Sequence, residues 1–336
     1  MISVNKRAVG IVQRMIADAE PLGLAVTRLS NGTTVVDSGV KTPGSLEAGR
    51  LFAEVCLGGL GEVRFCELTF PETGFFPKNL VSSDSVTGDM WLPGVTVSVS
   101  HPPVACMAAQ YAGWALKVKS AQGEFFAMGS GPARALRGGE PLFERLEYRD
   151  QADVAVLALE GRRLPPEEAA EKIAKKCNVS PDCLYLLIAP TASLVGSVQV
   201  AARVVETGLH KMLEVGFDIS TVLSGLGTCP LAPIAGDDLH AIGRTNDAVL
   251  YGGRAWYTVR ADDAQIEEII EQLPSSASRD YGTPFYDLFQ CYGGDFYEID
   301  PLLFSPAEVS INNLTSGRTF HAGRVNGEII QRALLA

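Results

Sequence analysis

A chain of 336 residues with 46% hydrophobic and 20% charged side chains has enough material for two packed domains and is too apolar to stay disordered. Its 28 basic residues against 39 acidic ones leave a net charge of −11, and no basic run interrupts that balance, which argues against a nucleic-acid-binding surface. Seven scattered cysteines, none in a Cys-x-x-Cys pair, predict a reduced, cytoplasmic chain rather than a disulfide scaffold.

The first twenty residues carry Lys6, Arg7 and Arg14 among apolar positions at helical spacing and read as an amphipathic helix rather than a secretion signal. Leu24 to Leu29 and Thr33 to Asp37 form a hairpin pattern around Ser30-Asn31-Gly32. Gly44 to Leu57 is helical and stops at Gly58-Gly59. Val63 to Phe65 and Val95 to Val99 read as strands, and Pro103 to Ala112 as a helix. A strand at Asp153 to Leu159, a helix at Pro165 to Cys177 and a strand at Leu184 to Ala189 then alternate as in an α/β layer. The nearly uncharged Tyr185 to Ala202 is broken by Pro190, Ser193, Ser197 and Gln199, so it is a buried strand entering a helix and not a membrane span. That helix is expected over about Gly196 to Glu214. Further on come a strand at Ala248 to Val259, a helix at Gln265 to Gln272, a polar loop at Pro274 to Thr283, and two strands at Glu308 to Ile311 and Thr319 to Ala322. The fold class is α/β. Two α/β domains with a cleft between them are expected: 1–147, joined by the C-terminal segment 300–336, and 148–299.

In the helix expected from Gly196, residues Val198, Ala202, Val205, Leu209 and Met212 form an inward apolar stripe. One residue round, Gln199, Arg203, Glu206 and His210 form a polar stripe, so Arg203 and Glu206 are neighbours. Such a pair either holds a water between an acceptor and a fixed cation, as general-base hydrolysis requires, or is a solvated surface ion pair. The segment Phe126 to Leu136 places small residues before Pro132 at a helix start, with Arg134 one turn in, an arrangement suited to an anion or to a capped turn. It is not a dinucleotide fingerprint, because Arg134 stands where the third glycine should be. His101, His210, His240 and His321 are isolated and lack metal-ligand spacing. No Gly-x-Ser-x-Gly elbow and no P-loop are present. Gly243 to Asp247 is a dense polar stretch that suits a site loop or a helix start.

Several segments resemble the methenyltetrahydromethanopterin cyclohydrolase family: Asn31 to Asp37, Glu47 to Gly49, Glu54 to Leu60, Phe126 to Leu136, Gly243 to Asp247, Ser278 to Gly282, Ile299 to Pro301 and, most specific, Ala189 to Val200 running on through Arg203 to Thr207. The resemblance implies a two-domain α/β subunit, assembled as a homotrimer, that binds a pterin between its domains without metal or other cofactor. It also implies a catalytic pair on the Arg-x-x-Glu turn, here Arg203 and Glu206, with Glu206 as general base and Arg203 orienting the water. Ser130, Gly131, Arg134, Thr191, Ser193, Gln199, Asn246 and Asp247 are the residues of the resembling or adjoining segments suited to contact the substrate. The chain departs from the family at Ser100-His101-Pro102-Pro103, where archaeal members often have Asp-His-Pro-Ala, and Phe70 to Gly94 has no evident counterpart. A non-catalytic pterin-binding protein and a folate-type cyclohydrolase or dehydrogenase are the competing readings.

Overall fold

The computed structural model describes residues 2–70, 90–121, 123–293 and 298–335; most of the Phe70 to Gly94 stretch therefore lies outside the described residues. The chain divides into two compact units, one of residues 1–63 and 100–199, the other of 64–99 and 200–336. Each is built on a six-stranded mixed sheet among the described residues.

In the first unit the sheet runs β1 (Ala25–Arg28), β2 (Thr34–Asp37), β8 (Leu184–Ala189), β7 (Ala155–Glu160), β6 (Gly123–Ser130), β5 (Trp114–Ser120). The expected hairpin is β1 and β2, turned at Gly32 with φ of 95°, a conformation glycine adopts without steric cost. β2, β8 and β7 are parallel. The helix Glu167–Cys177 crosses between β7 and β8, with Glu167 and Glu168 in its first turn and Lys175 and Lys176 in its last, each matched to the helix dipole. It packs Ala170, Ile173 and Ala174 on Leu157 and Leu159 at one face. Helices Val4–Ala17 and Leu46–Cys56 cover the other face, over Val156 and Ala158. Burial on both faces is why β7 reads as continuous apolar sequence until its last residue, Glu160.

The second unit's sheet runs β12 (Thr319–Gly323), β11 (Glu308–Asn313), β10 (Arg254–Val259), β9 (Val222–Pro230), β4 (Met90–Ser100), β3 (Gly61–Phe70). Here β10 and β11 are parallel, while β9 with β10 and β11 with β12 are antiparallel.

Three sequence expectations change in physical detail. The boundary expected near residue 147 falls inside one sheet, because Met128 to Ser130 of β6 pair with Glu160 to Ala158 of β7 across it. Segment 300–336 belongs with 200–299 rather than with 1–63, since β11 pairs with β10. The strand expected over Ala248 to Val259 begins only at Arg254: residues 248–252 finish the helix Asp238–Gly252, whose N-cap Asp237 accepts from the His240 amide. Period-two burial starts after Gly253, and the apolar run before it is helical, an ambiguity inherent in short apolar runs.

Candidate active site

The helix expected from Gly196 to Glu214 is two helices, Leu194–Ala201 and Val204–Glu214. Between them the chain tightens: the Arg203 amide donates to Val200 O at 3.0 Å, an i−3 bond, and Arg203 has φ −84° and ψ −1°. A local 3₁₀ turn inside a helical run often marks a functional position. The inward stripe holds, with Val198, Ala202, Val205, Leu209 and Met212 all fully buried. The neighbouring polar stripe is far more buried than a solvated face, with Gln199 4% and Glu206 5% exposed. Arg203 Nη1 lies 3.7 Å from Glu206 Oε2, and the two side chains are 13% and 6% exposed. Glu206 sits in the first turn of its helix, where the dipole favours negative charge. A shielded carboxylate beside a fixed cation is equipped to hold a water and accept its proton. His210, the last of the stripe, lies 3.8 Å from Glu214.

The helix carrying this pair is seated by small residues and one tyrosine. Tyr257, fully buried on β10, donates its hydroxyl to Val205 O at 2.7 Å. Gly225 and Gly227 on β9 let Val205 and Val204 approach to where an added Cβ would meet them at 2.5 and 2.7 Å. On the helix itself, a Cβ at Gly208 would stand 2.2 Å from Tyr257 Oη. Gly208→Ala therefore destabilises the protein by about 1–3 kcal/mol through overpacking. Urea midpoints check this, and Tyr257→Phe added to Gly208→Ala recovers part of the loss, because it removes the atom in conflict.

The sequence candidates of the first unit fall into two places. Thr191 and Gln199 converge on Glu160 at the end of β7: Thr191 Oγ1 donates to Oε1 at 2.5 Å and Gln199 Nε2 to Oε2 at 3.4 Å. Ser193 caps the helix Leu194–Ala201, accepting from the Gly196 amide at 3.0 Å and donating to Pro190 O at 2.7 Å. Ser130 and Gly131 lie where β6 meets the short helix Ala133–Arg137; Gly131 has φ of 98° and its amide donates to Ala109 O. Arg134 is not turned toward a ligand. It is fully buried, Nη1 donates to Met107 O at 3.0 Å and Ala109 O at 3.1 Å, and Nε and Nη2 hold Glu140. Its guanidinium braces the fold. Glu160 escaped the sequence reading; its one signal is a lone carboxylate closing the otherwise apolar strand Ala155–Glu160.

In the second unit Asn246 and Asp247 lie on the helix Asp238–Gly252 rather than in a loop. Asn246 Nδ2 donates to Ile242 O at 2.8 Å, inside the same helix. Asp247 is 2% exposed and accepts from the Phe285 amide at 2.8 Å. Burial pushes its carboxyl up to about 8, against which the Phe285 hydrogen bond works only partly. Folded protein thus keeps this proton between the carboxyl's ordinary 3.8 and about 8, whereas unfolded chain has lost it. The stabilisation is complete below that window and fades as pH rises through it. Asp247→Asn should flatten the fall in melting temperature between pH 5 and pH 8 and raise it at pH 8; thermal melts across that range check the sign. Lys211 is likewise buried, and burial pushes its ammonium down to about 8 while it donates to Leu302 O.

Among the described residues no group of three His, Cys, Asp or Glu is placed to hold a metal ion, and no described helix is long and apolar enough to cross a membrane. The family described as Cyclohydrolase (MCH) matches residues 3–334. Methenyltetrahydromethanopterin cyclohydrolase of Methanocaldococcus jannaschii is 47% identical over 337 residues, covering 99% of this chain and 98% of that protein. The protein of the same name from Methanothermobacter marburgensis is 45% identical over 340 residues, 99% of each chain. That of Methylobacterium sp. (strain 4-46) is 45% identical over 331 residues, 98% of this chain and 97% of that protein.

Proposed function

We propose, on the premise that this chain belongs to the cyclohydrolase (MCH) family, that it reversibly hydrolyses 5,10-methenyltetrahydromethanopterin to 5-formyltetrahydromethanopterin in one-carbon metabolism. The observation that carries the chemistry is the shielded pair Arg203 and Glu206, 3.7 Å apart at a helix start. The substrate is a cyclic amidinium whose bridging carbon is already electrophilic, so a positioned water and a base suffice.

Water held between Arg203 and Glu206 attacks that carbon while Glu206 takes one of its protons. The adduct collapses: the carbon–N10 bond breaks, N10 receives the proton from Glu206, and the hydroxyl becomes the formyl carbonyl on N5 with release of one proton. In reverse, protonated Glu206 assists the loss of water. Arg203 supplies a planar fork of donors that fixes both the water and the carboxylate. The family resemblance supports a homotrimer in the cytoplasm that works without metal or nucleotide.

The test is the loss of methenyltetrahydromethanopterin absorbance on adding purified protein in EDTA-containing buffer, with methenyltetrahydrofolate beside it. Rapid loss with the first substrate is expected. Binding without loss would establish a non-catalytic pterin-binding protein instead, and equal turnover of the folate would move the substrate assignment. Sedimentation at three times the 35.8 kDa subunit mass checks the trimer.

A further inference from the structure

The carboxyl ends of β7 and β8 form a topological switch point. The chain leaves β7 into the helix Glu167–Cys177, which packs on the Leu157 and Leu159 face. It leaves β8 into the helix Leu194–Ala201, whose Val195 packs on the opposite face with Val156 and Ala158. Parallel strands whose outgoing connections part to opposite faces leave a crevice beyond their carboxyl ends, where α/β sheets bind ligands.

Glu160 and the turn Pro190 to Ser193 stand at that place. Glu160 is level with Ala189 on β8 and with Met128 on β6, so all three share the face that carries Ala158. Two residues back along β6, Phe126 lies on the same face by strand alternation and is 56% exposed. Gly161 lies against the Phe126 carbonyl, where an added Cβ would meet the oxygen at 3.3 Å. The carboxylate is therefore held at the rim of a shelf made by an exposed phenylalanine and a half-buried methionine. Thr191 and Gln199 each donate to a different oxygen of Glu160. They fix its plane and leave each oxygen acceptor capacity.

We infer that Glu160 is the recognition residue for a flat heterocycle presenting two adjacent N–H donors, the 2-amino and N3–H edge of a pterin head, with Phe126 and Met128 as its stacking surface. A carboxylate meets such an edge with two parallel, charge-assisted hydrogen bonds, which fix orientation as well as supplying affinity. Thr191 and Gln199 are then positioning residues acting through Glu160. This deepens the proposed function and rests on it for the identity of the substrate, but the shelf stands on its own geometry.

The probe is 6-methyltetrahydropterin, which has the head and no tail, with its Kd measured by equilibrium dialysis independently of turnover. Glu160→Gln places an amide donor against a donor edge. It is expected to weaken binding about 10- to 100-fold, the value of a charged bidentate contact, and to raise KM for the methenyl substrate by more than it lowers kcat. Phe126→Ala, at an exposed position that the core does not need, is expected to weaken the same Kd. Thr191→Val should weaken it less than Glu160→Gln, whereas a purely structural brace would make the two alike. An unchanged Kd in Glu160→Gln and Phe126→Ala, or a raised KM with unchanged head-group Kd, overturns the assignment. Wild-type protein that binds the head but leaves methenyltetrahydromethanopterin intact would remove the cyclohydrolase reading and leave this site standing.

Discussion

Replacing Glu206 by glutamine lowers turnover of methenyltetrahydromethanopterin by about 100- to 10,000-fold, the range of a lost general base, while the protein stays folded. Glutamine keeps the shape and can still hydrogen-bond a water, but it cannot take the proton that attack releases. Stability is expected to change little. The two charged groups are 3.7 Å apart, longer than a strong charge-assisted hydrogen bond, and removing a buried negative charge offsets what Arg203 loses. Stopped-flow turnover and thermal melts on the same sample separate the two effects. Full activity in the variant would remove Glu206 from the chemistry and leave the pair a structural one. A parallel loss of melting temperature would mean that the rate fell through unfolding.

Arg134→Met is expected to cost about 3–5 kcal/mol of folding stability, as breaking a buried ion pair does. Arg134 is fully buried, its cation lies 5.1 Å from the Tyr111 ring centroid and 5.6 Å from that of Phe143, and it holds Glu140, whose side chain is 11% exposed. After substitution Glu140 retains only the Arg137 contact at 3.2 Å among its described ion pairs, and the Met107 and Ala109 carbonyls lose the guanidinium, although Ala109 O keeps the Gly131 amide. Urea unfolding measures the loss, and Glu140→Leu added to Arg134→Met should restore most of it by removing the stranded charge. If Arg134 instead served an anion, the single substitution would leave the unfolding midpoint in place and abolish anion binding.

Arg134 also shows where local pattern stops being informative. Small residues, a proline and an arginine one turn into a helix look the same whether the arginine faces a ligand or the core. What decides is that the helix Pro103–Gln110, distant in sequence, brings the carbonyls of Met107 and Ala109 to the guanidinium. The pair Arg203 and Glu206 was legible because helical spacing alone forces residues three apart to be neighbours. That their helical run would break at Ala202, and that the polar stripe would be buried, was not legible, since burial of that stripe depends on the surrounding tertiary packing.

The sequence by itself determined the alternation of strand and helix from Asp153 to Ala202, the first hairpin with its Asn31-Gly32 turn, the inward stripe from Val198 to Met212 and the adjacency of Arg203 and Glu206. All of these are fixed by periods of two or 3.6 residues and by the steric freedom of glycine. Only the tertiary structure decided that β6 pairs with β7 across the expected domain boundary, that Arg134 is held by Glu140, that Asp247 lies buried against the Phe285 amide, and that Glu160 meets Thr191 and Gln199. Each of these depends on groups brought together from 6 to 39 positions apart. No local periodicity encodes such meetings, because they follow from how whole strands and helices pack.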